Sequence, residues 1–236
     1  MTTANESPVC LCEPVRGAAP AVRERRRRER LAFAWRQLTF PRHDLTAILR
    51  QDPALRGKVG GRVEALLYPG LWALAAHRVA HLFHAAGVPV VPRVLNFAAR
   101  FLTGVDIHPG ARIGPGLFID HGDGVVIGET AEIGRDVVML HQVTLGGRGG
   151  GGGKRHPTVG DGVLLGAGAK ILGAIAIGAG ARVGANAVVL TEVPAGATAV
   201  GIPARVVRST LRTGGAQPEL CCGAPAGATV EEVQCC

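Results

Sequence analysis

From residue 107 onward an aliphatic side chain returns at every sixth position. Ile107, Ile113, Ile119, Val125, Ala131, Val137 and Val143 form one column, and Val159, Leu165, Ile171, Ile177, Val183 and Val189 form a second. A period of six matches neither the 3.6 residues of an α-helical turn nor plain strand alternation. Self-similarity at a short fixed period marks a solenoid, and hexapeptide repeats mark a parallel β-helix. Hydrophobic residues are 47% of the chain but aromatics only 4%, so the core is expected to be filled by small aliphatic groups. The 35 glycines exceed ordinary globular usage, but a spacing of six with aliphatic residues between excludes collagen.

Alternation along a strand puts residues i and i+2 of each hexad on the same side. Ile127, Ile133, Met139 and Leu145 are therefore expected as a second inward column. Glycine follows the aliphatic residue at 114, 160, 166, 178 and 184, where a tight corner needs it. With three hexads to a coil of about 18 residues, the repeat yields a little over four coils. The two columns are out of phase by a step of 16 residues (159 − 143). The excess lies in 146–157, a glycine-rich loop ejected from the solenoid that ends in Lys154-Arg155-His156-Pro157. Solenoid ends need capping, and the preceding helical region can supply one cap.

Four parts are expected: a disordered arginine-rich arm at 1–30, a helical domain at 31–103, the hexapeptide β-helix at 104–207, and a flexible cysteine-containing tail at 208–236. Within the helical domain, Asp44 suits an N-cap for a helix over 45–51, and Pro53 a first helical position. Val63 to Ala86 reads as apolar helix interrupted at Tyr68-Pro69-Gly70, and Pro92 to Leu102 as a last short helix. His77, His81 and His84 share one helical stripe without a carboxylate or cysteine at metal spacing, so they read as packing residues.

The net charge is +8, and residues 1–42 carry nine Arg and four Glu (9 − 4 = +5). No nucleic-acid module or interleaved aromatics accompany that run, so no nucleic-acid partner is expected. All six cysteines, Cys10, Cys12, Cys221, Cys222, Cys235 and Cys236, lie in the tails, and their spacing is not that of zinc ligands. There is no apolar h-region and no apolar stretch of about 18 residues. The expectation is a cytoplasmic chain with reduced thiols, no membrane span and no metal.

Polar residues are scarce in the repeat, so each one stands out, and Asp106, His108, Asp120, His121, Asp123, Glu129 and His141 cluster in its first half. Asp106 precedes His121 by nearly one coil, and the two side chains can meet on neighbouring coils. An Asp on one imidazole nitrogen leaves the other free as a general base, which suits activation of a hydroxyl. A hydrogen-bonded structural histidine fits the same residues equally well.

The stretches Val105-Asp106-Ile107-His108-Pro109-Gly110, Ile119-Asp120-His121-Gly122, Gly128-Glu129-Thr130, Val143-Thr144-Leu145-Gly146-Gly147, Arg155-His156-Pro157 and Gly166-Ala167-Gly168-Ala169-Lys170 closely resemble bacterial serine O-acetyltransferases. The resemblance runs from about Asp52 to Val207. It implies an α+β chain in which an N-terminal helical region precedes a left-handed parallel β-helix, an exception to the right-handed crossover rule. It also implies a homotrimer with active sites between subunits, and transfer of acetyl from acetyl-CoA to the hydroxyl of L-serine, the first step of cysteine biosynthesis. No cysteine or serine nucleophile with a partnered base is visible, which favours direct transfer.

Carried over by the resemblance, His121 is the general base and Asp106 its orienting partner. Asp52 and Asp120 hold the serine amino group, Arg155 and His156 its carboxylate, and Glu129 supports the site. Gly147, Ala167 and Ala185 lie along the CoA groove. The helical region matches the family's short form, which leaves the hexamer of the long form open. The Cys235-Cys236 ending disfavours a cysteine synthase complex, and Arg148 replaces a small polar residue usual in the loop. Three other readings remain: an acetyltransferase acting on a sugar hydroxyl, a metal-dependent hexapeptide protein using His108, His121 and His141, and a non-enzymatic scaffold.

Overall fold

The computed structural model describes residues 20–55, 57–149 and 153–207. Five helices precede the solenoid: α1 (Pro20–Gln37), α2 (Pro41–Gln51), α3 (Gly61–Ala65), α4 (Pro69–Ala85) and α5 (Val91–Thr103), with a 3-10 turn at Pro53–Leu55. Proline opens α2, α4 and α5 at a first-turn position, where its missing N–H costs nothing. Gly104, at φ 72, ends α5.

Two helical expectations change. The arm expected to be disordered to residue 30 is helical from Pro20. Arg25 pairs with Glu29 and Arg28 with Glu24, each at i,i+4 spacing, so the charge run supports a helix. Residues 1–19 and 208–236, including all six cysteines, lie outside the described residues. Asp44 does not cap α2. The helix starts at Pro41, and Asp44 sits in its first turn, buried.

Fifteen short strands build three faces of a triangular prism. One sheet stacks β1 (Asp106–Ile107), β4 (Val126–Ile127), β7 (Thr144–Gly146), β10 (Lys170–Leu172) and β13 (Val188–Val189). A second stacks β2 (Arg112–Ile113), β5 (Glu132–Ile133), β8 (Thr158–Val159) and β11 (Ala176–Ile177). The third stacks β3 (Phe118–Ile119), β6 (Val138–Met139), β9 (Leu164–Leu165), β12 (Arg182–Val183), β14 (Thr198–Val200) and β15 (Arg205–Val207). All pairings are parallel except β14 with β15, which turns back to close the end. This is the expected α+β architecture, a helical region leading into a left-handed parallel β-helix. No described helix is long and apolar enough to cross a membrane.

The core is the stack of inward aliphatic rungs. Ile113, Leu145, Leu165, Ile171 and Val183 are completely buried, and Ala111, Ala131, Ala169, Ala181 and Ala187 fill the narrower positions. Pairing register measures each coil. Ile127 pairs with Leu145 and Ile171 with Val189, both steps of 18 (145 − 127; 189 − 171). Ile107 pairs with Ile127, a step of 20 (127 − 107), and Leu145 with Ile171, a step of 26 (171 − 145). The 26-residue coil contains the expected loop. The 20-residue coil contains an insertion that the single column from Ile107 to Val143 conceals. Both i and i+2 point inward, so a two-residue insertion moves the period from one inward column to the other. The corner residues Gly124, Gln142, Gly168 and Asn186 repeat with positive φ, whereas His121 (φ 60) and Gly122 (φ 86) have no counterpart in later coils. The inserted pair is His121-Gly122.

Candidate active site

The repeat breaks at two corners, and each break carries a polar cluster. The first lies between the six-stranded and five-stranded sheets. β3 ends at Ile119, and Asp120 still holds the ladder through its N–H to Met139 O (2.9 Å). His121 then leaves it in the left-handed region, which costs a non-glycine residue roughly 1 kcal/mol or more. Its ring is 74% exposed, 3.9 Å from Asp120 and edge-on to His141 at 6.0 Å. Ala167 and Ala185 occupy the same corner on later coils, where Asn186 N–H donates to Ala167 O. An exposed imidazole therefore heads a ridge of small residues.

Asp106 stands on the same edge, at the start of β1. Its carboxylate accepts from Asn96 Nδ2 (3.1 Å) and pairs with Arg100 Nη1 (3.2 Å), both on α5. No hydrogen bond joins Asp106 to His121 among the described residues. The expected Asp106–His121 contact is thus absent, because α5 takes the carboxylate. Asp52 ends α2, and its Oδ1 accepts from Ala54 N–H (2.7 Å). The helix reaches this corner by packing Ala47, Ile48 and the following Leu55 against Phe118 of β3.

The second cluster lies on the opposite edge of the five-stranded sheet. Glu129 and Thr130 follow β4, and Arg155 and His156 return from the long loop one coil on. Arg155 Nη2 donates to Glu129 Oε2 (2.5 Å). Thr130 organises the rest: its Oγ1 accepts from Arg155 N–H (3.0 Å) and His156 N–H (3.1 Å). Thr130 N–H donates to His156 Nδ1 (3.1 Å). With Nδ1 an acceptor, the neutral ring carries its proton on Nε2. Burial pushes the His156 pKa below the usual imidazole range, helped by the Arg155 and Lys154 charges and opposed by Glu129. His156 therefore presents an N–H donor. Gly147 sits against it, since a Cβ there would meet Nε2 at 3.4 Å. The structure thus separates Gly147 from Ala167 and Ala185.

Sequence reasoning missed Thr130, Asn96 and Arg100. Thr130 had a signal, as a lone hydroxyl beside Glu129 in a corner otherwise made of glycine and alanine. Asn96 and Arg100 had none, because only the docking of α5 brings them to β1. The histidine stripe packs as expected. His81 Nδ1 donates to Pro109 O (2.8 Å), and burial lowers its pKa to about 4. His108 is also lowered to about 4, first by burial. The three histidines of the metal reading do not assemble: His121 and His141 share the first corner, while His108 lies at the second. Among the described residues no group of His, Cys, Asp and Glu is arranged to hold a metal ion.

Residues 156–191 match the family described as Bacterial transferase hexapeptide (six repeats). Over 165 residues, 70% of this chain, the sequence is 55% identical to the serine acetyltransferase of Helicobacter pylori and covers 95% of that protein. The chain belongs to the serine acetyltransferase family. Among solved serine acetyltransferases, the soybean enzyme complexed with serine superposes with a TM-score of 0.68 at 51% identity, over 72% of this chain and 68% of that one. The Brucella abortus enzyme in complex with coenzyme A does so with a TM-score of 0.68 at 41% identity, over 72% and 66%. Asp120-His121 and Arg155-His156 lie at the two edges described above.

Proposed function

We propose that this chain is an acetyl-CoA:L-serine O-acetyltransferase acting at a site shared by neighbouring subunits of a homotrimer. The observation that carries the reading is the separation of the two clusters. On one coil, the run from His141 to Gly147 is six residues of largely extended chain, about 20 Å. His121 therefore does not share a substrate with Arg155 and His156 of its own chain. A neighbour related by three-fold symmetry brings its second edge against the first.

In this reading L-serine lies between the two edges. Asp52 and Asp120 hold the ammonium group, while Arg155 and the Nε2–H of His156 hold the carboxylate across the subunit boundary. Glu129 keeps the Arg155 guanidinium oriented. His121 removes the serine hydroxyl proton as that oxygen attacks the thioester carbonyl carbon of acetyl-CoA. The C–S bond then breaks, the departing CoA thiolate takes the proton that His121 accepted from serine, which restores the neutral imidazole, and O-acetyl-L-serine remains. Asp106 supports His121 once the α5 side chains yield its carboxylate. Ala167 and Ala185 let the cofactor arm run close to the corner backbone, with Gly147 of the neighbour on the other side. We assign the enzyme to the cytoplasm and to the first step of cysteine biosynthesis.

The test is thiol release from acetyl-CoA with L-serine or with galactosides as acceptor. Release with L-serine alone is expected. Release only with a sugar contradicts the assignment, because a neutral sugar has no ends for the carboxylates and the Arg155-His156 pair.

A further inference from the structure

The two carboxylates assigned to the serine ammonium group come from different elements. Asp52 ends α2, and Asp120 follows β3. A buried polar side chain, Asp44, joins those elements. Asp44 Oδ2 accepts from Arg78 Nε (3.0 Å) and Nη2 (2.6 Å), and its Oδ1 accepts from Gly116 N–H (3.0 Å). Both side chains of this pair are 1% exposed. Arg78 Nη1 also donates to Gln37 Oε1 (3.2 Å), and the guanidinium lies over the Phe40 ring at 5.0 Å.

We infer that Asp44, held by Arg78, is a positioning residue that sets the spacing of Asp52 and Asp120 and hence the affinity for the amino-acid substrate. This rests on the reading of Asp52 and Asp120 given above. Asp44 precedes Asp52 by eight residues of α2, about 12 Å of rigid helix. Gly116 precedes Asp120 by only four residues, two of them in β3. Asp44 is therefore wired to Asp52 through one helix and to Asp120 through one strand.

Among the described residues, the Asp44 contacts are the most directional ties of α2 to α4 and the solenoid. The apolar face of α2 packs Leu45, Ala47, Ile48 and Leu49 into a cluster with Phe118 and Val138, but apolar burial is not directional. The Arg50–Asp136 pair is nearly half exposed at both ends and holds geometry weakly. The Asp44 carboxylate is held directionally, with two guanidinium donors converging on Oδ2 and the Gly116 amide on Oδ1, and such charge-assisted hydrogen bonds are the strong ones. Nor is the pair explained by stability alone. Burial pushes Asp44 up and Arg78 down, in each case outweighing their mutual attraction, and a desolvated pair of this kind often contributes little net stability.

The experiment is a double-mutant cycle on the purified oligomer with Asp44→Asn and Asp52→Asn. Asp44→Asn should raise KM for serine about tenfold while KM for acetyl-CoA stays within about twofold. The double variant should raise serine KM no further than Asp52→Asn alone, because both changes act on one interaction. Additive effects, or an unchanged serine KM in Asp44→Asn alongside an impaired Asp52→Asn, overturn the inference and leave the site reading intact. A wild-type serine KM in Asp52→Asn overturns both. Where Asp44→Asn does not fold, Arg78→Lys takes its place, keeping the cation and losing the fork, with the same expected pattern.

Discussion

Replacing Gly128 by alanine should damage serine binding and little else. Gly128 closes β4 with its N–H on Leu145 O (3.1 Å), and it is not among the glycines with positive φ, so alanine suits the backbone there. The obstacle is the neighbouring ring. A Cβ at 128 would stand 2.8 Å from His156 Cγ and closer still to Cδ2 and Nε2. Carbon atoms need about 3.5 Å, so the imidazole must retreat by about 1 Å or more. Its Nδ1 is held at 3.1 Å by Thr130 N–H, and a hydrogen bond does not survive that displacement. Misplacing a donor to a carboxylate costs about 1.5–3 kcal/mol, which is roughly 10–100-fold in affinity. Thiol-release kinetics should show serine KM raised by that factor, with KM for acetyl-CoA changed less than about threefold. A folded Gly128→Ala enzyme with wild-type serine KM would refute the placement of His156 against the substrate.

Three further outcomes follow from the same geometry. Thr130→Val keeps the volume but strands the N–H groups of Arg155 and His156, at about 1–3 kcal/mol each; serine KM should rise and the melting temperature should fall by several degrees or more, and unchanged kinetics would remove Thr130 from the site. His121→Ala should lower kcat by at least about 10², and because the ring is 74% exposed the melting temperature should hold; near wild-type turnover would rule His121 out as the base. Acid should weaken the fold through His81, whose pKa is about 4 when folded against 6.5 ordinarily. The unfolded chain takes up its proton first, so stability is complete above about pH 6.5 and falls as pH drops toward 4, by up to about 3 kcal/mol. Denaturant titrations across that window should show the decline, and a flat profile would contradict it.

The inward columns, the ejected loop and the two motif-bearing corners were legible in the sequence, because a six-residue period leaves only one way to stack Ile127 on Leu145 and Ile171 on Val189. The His121-Gly122 insertion was not, since Val125 falls on the other inward column and preserves the apparent period. Asp106 was read toward His121 on coil spacing alone, and the docking of α5 redirects it to Asn96 and Arg100. Asp44 looked like a helix cap because its partners, Arg78 and the Gly116 amide, are 34 and 72 positions away. Arg78 did leave a trace, as one cation in an apolar helix. Local pattern specified the solenoid, and side chains tied across elements escaped it.

The central claim is that His121 of one subunit works with Arg155 and His156 of its neighbour. Subunit complementation tests it directly. His121→Ala and His156→Ala chains are purified separately, each with little activity, then co-refolded or co-expressed in equal amounts. In randomly mixed trimers about one boundary in four joins an intact His121 to an intact His156. Serine-dependent thiol release should therefore recover to about a quarter of wild type. Mixtures no more active than the separate variants would show that both residues must come from one chain, and would contradict the account.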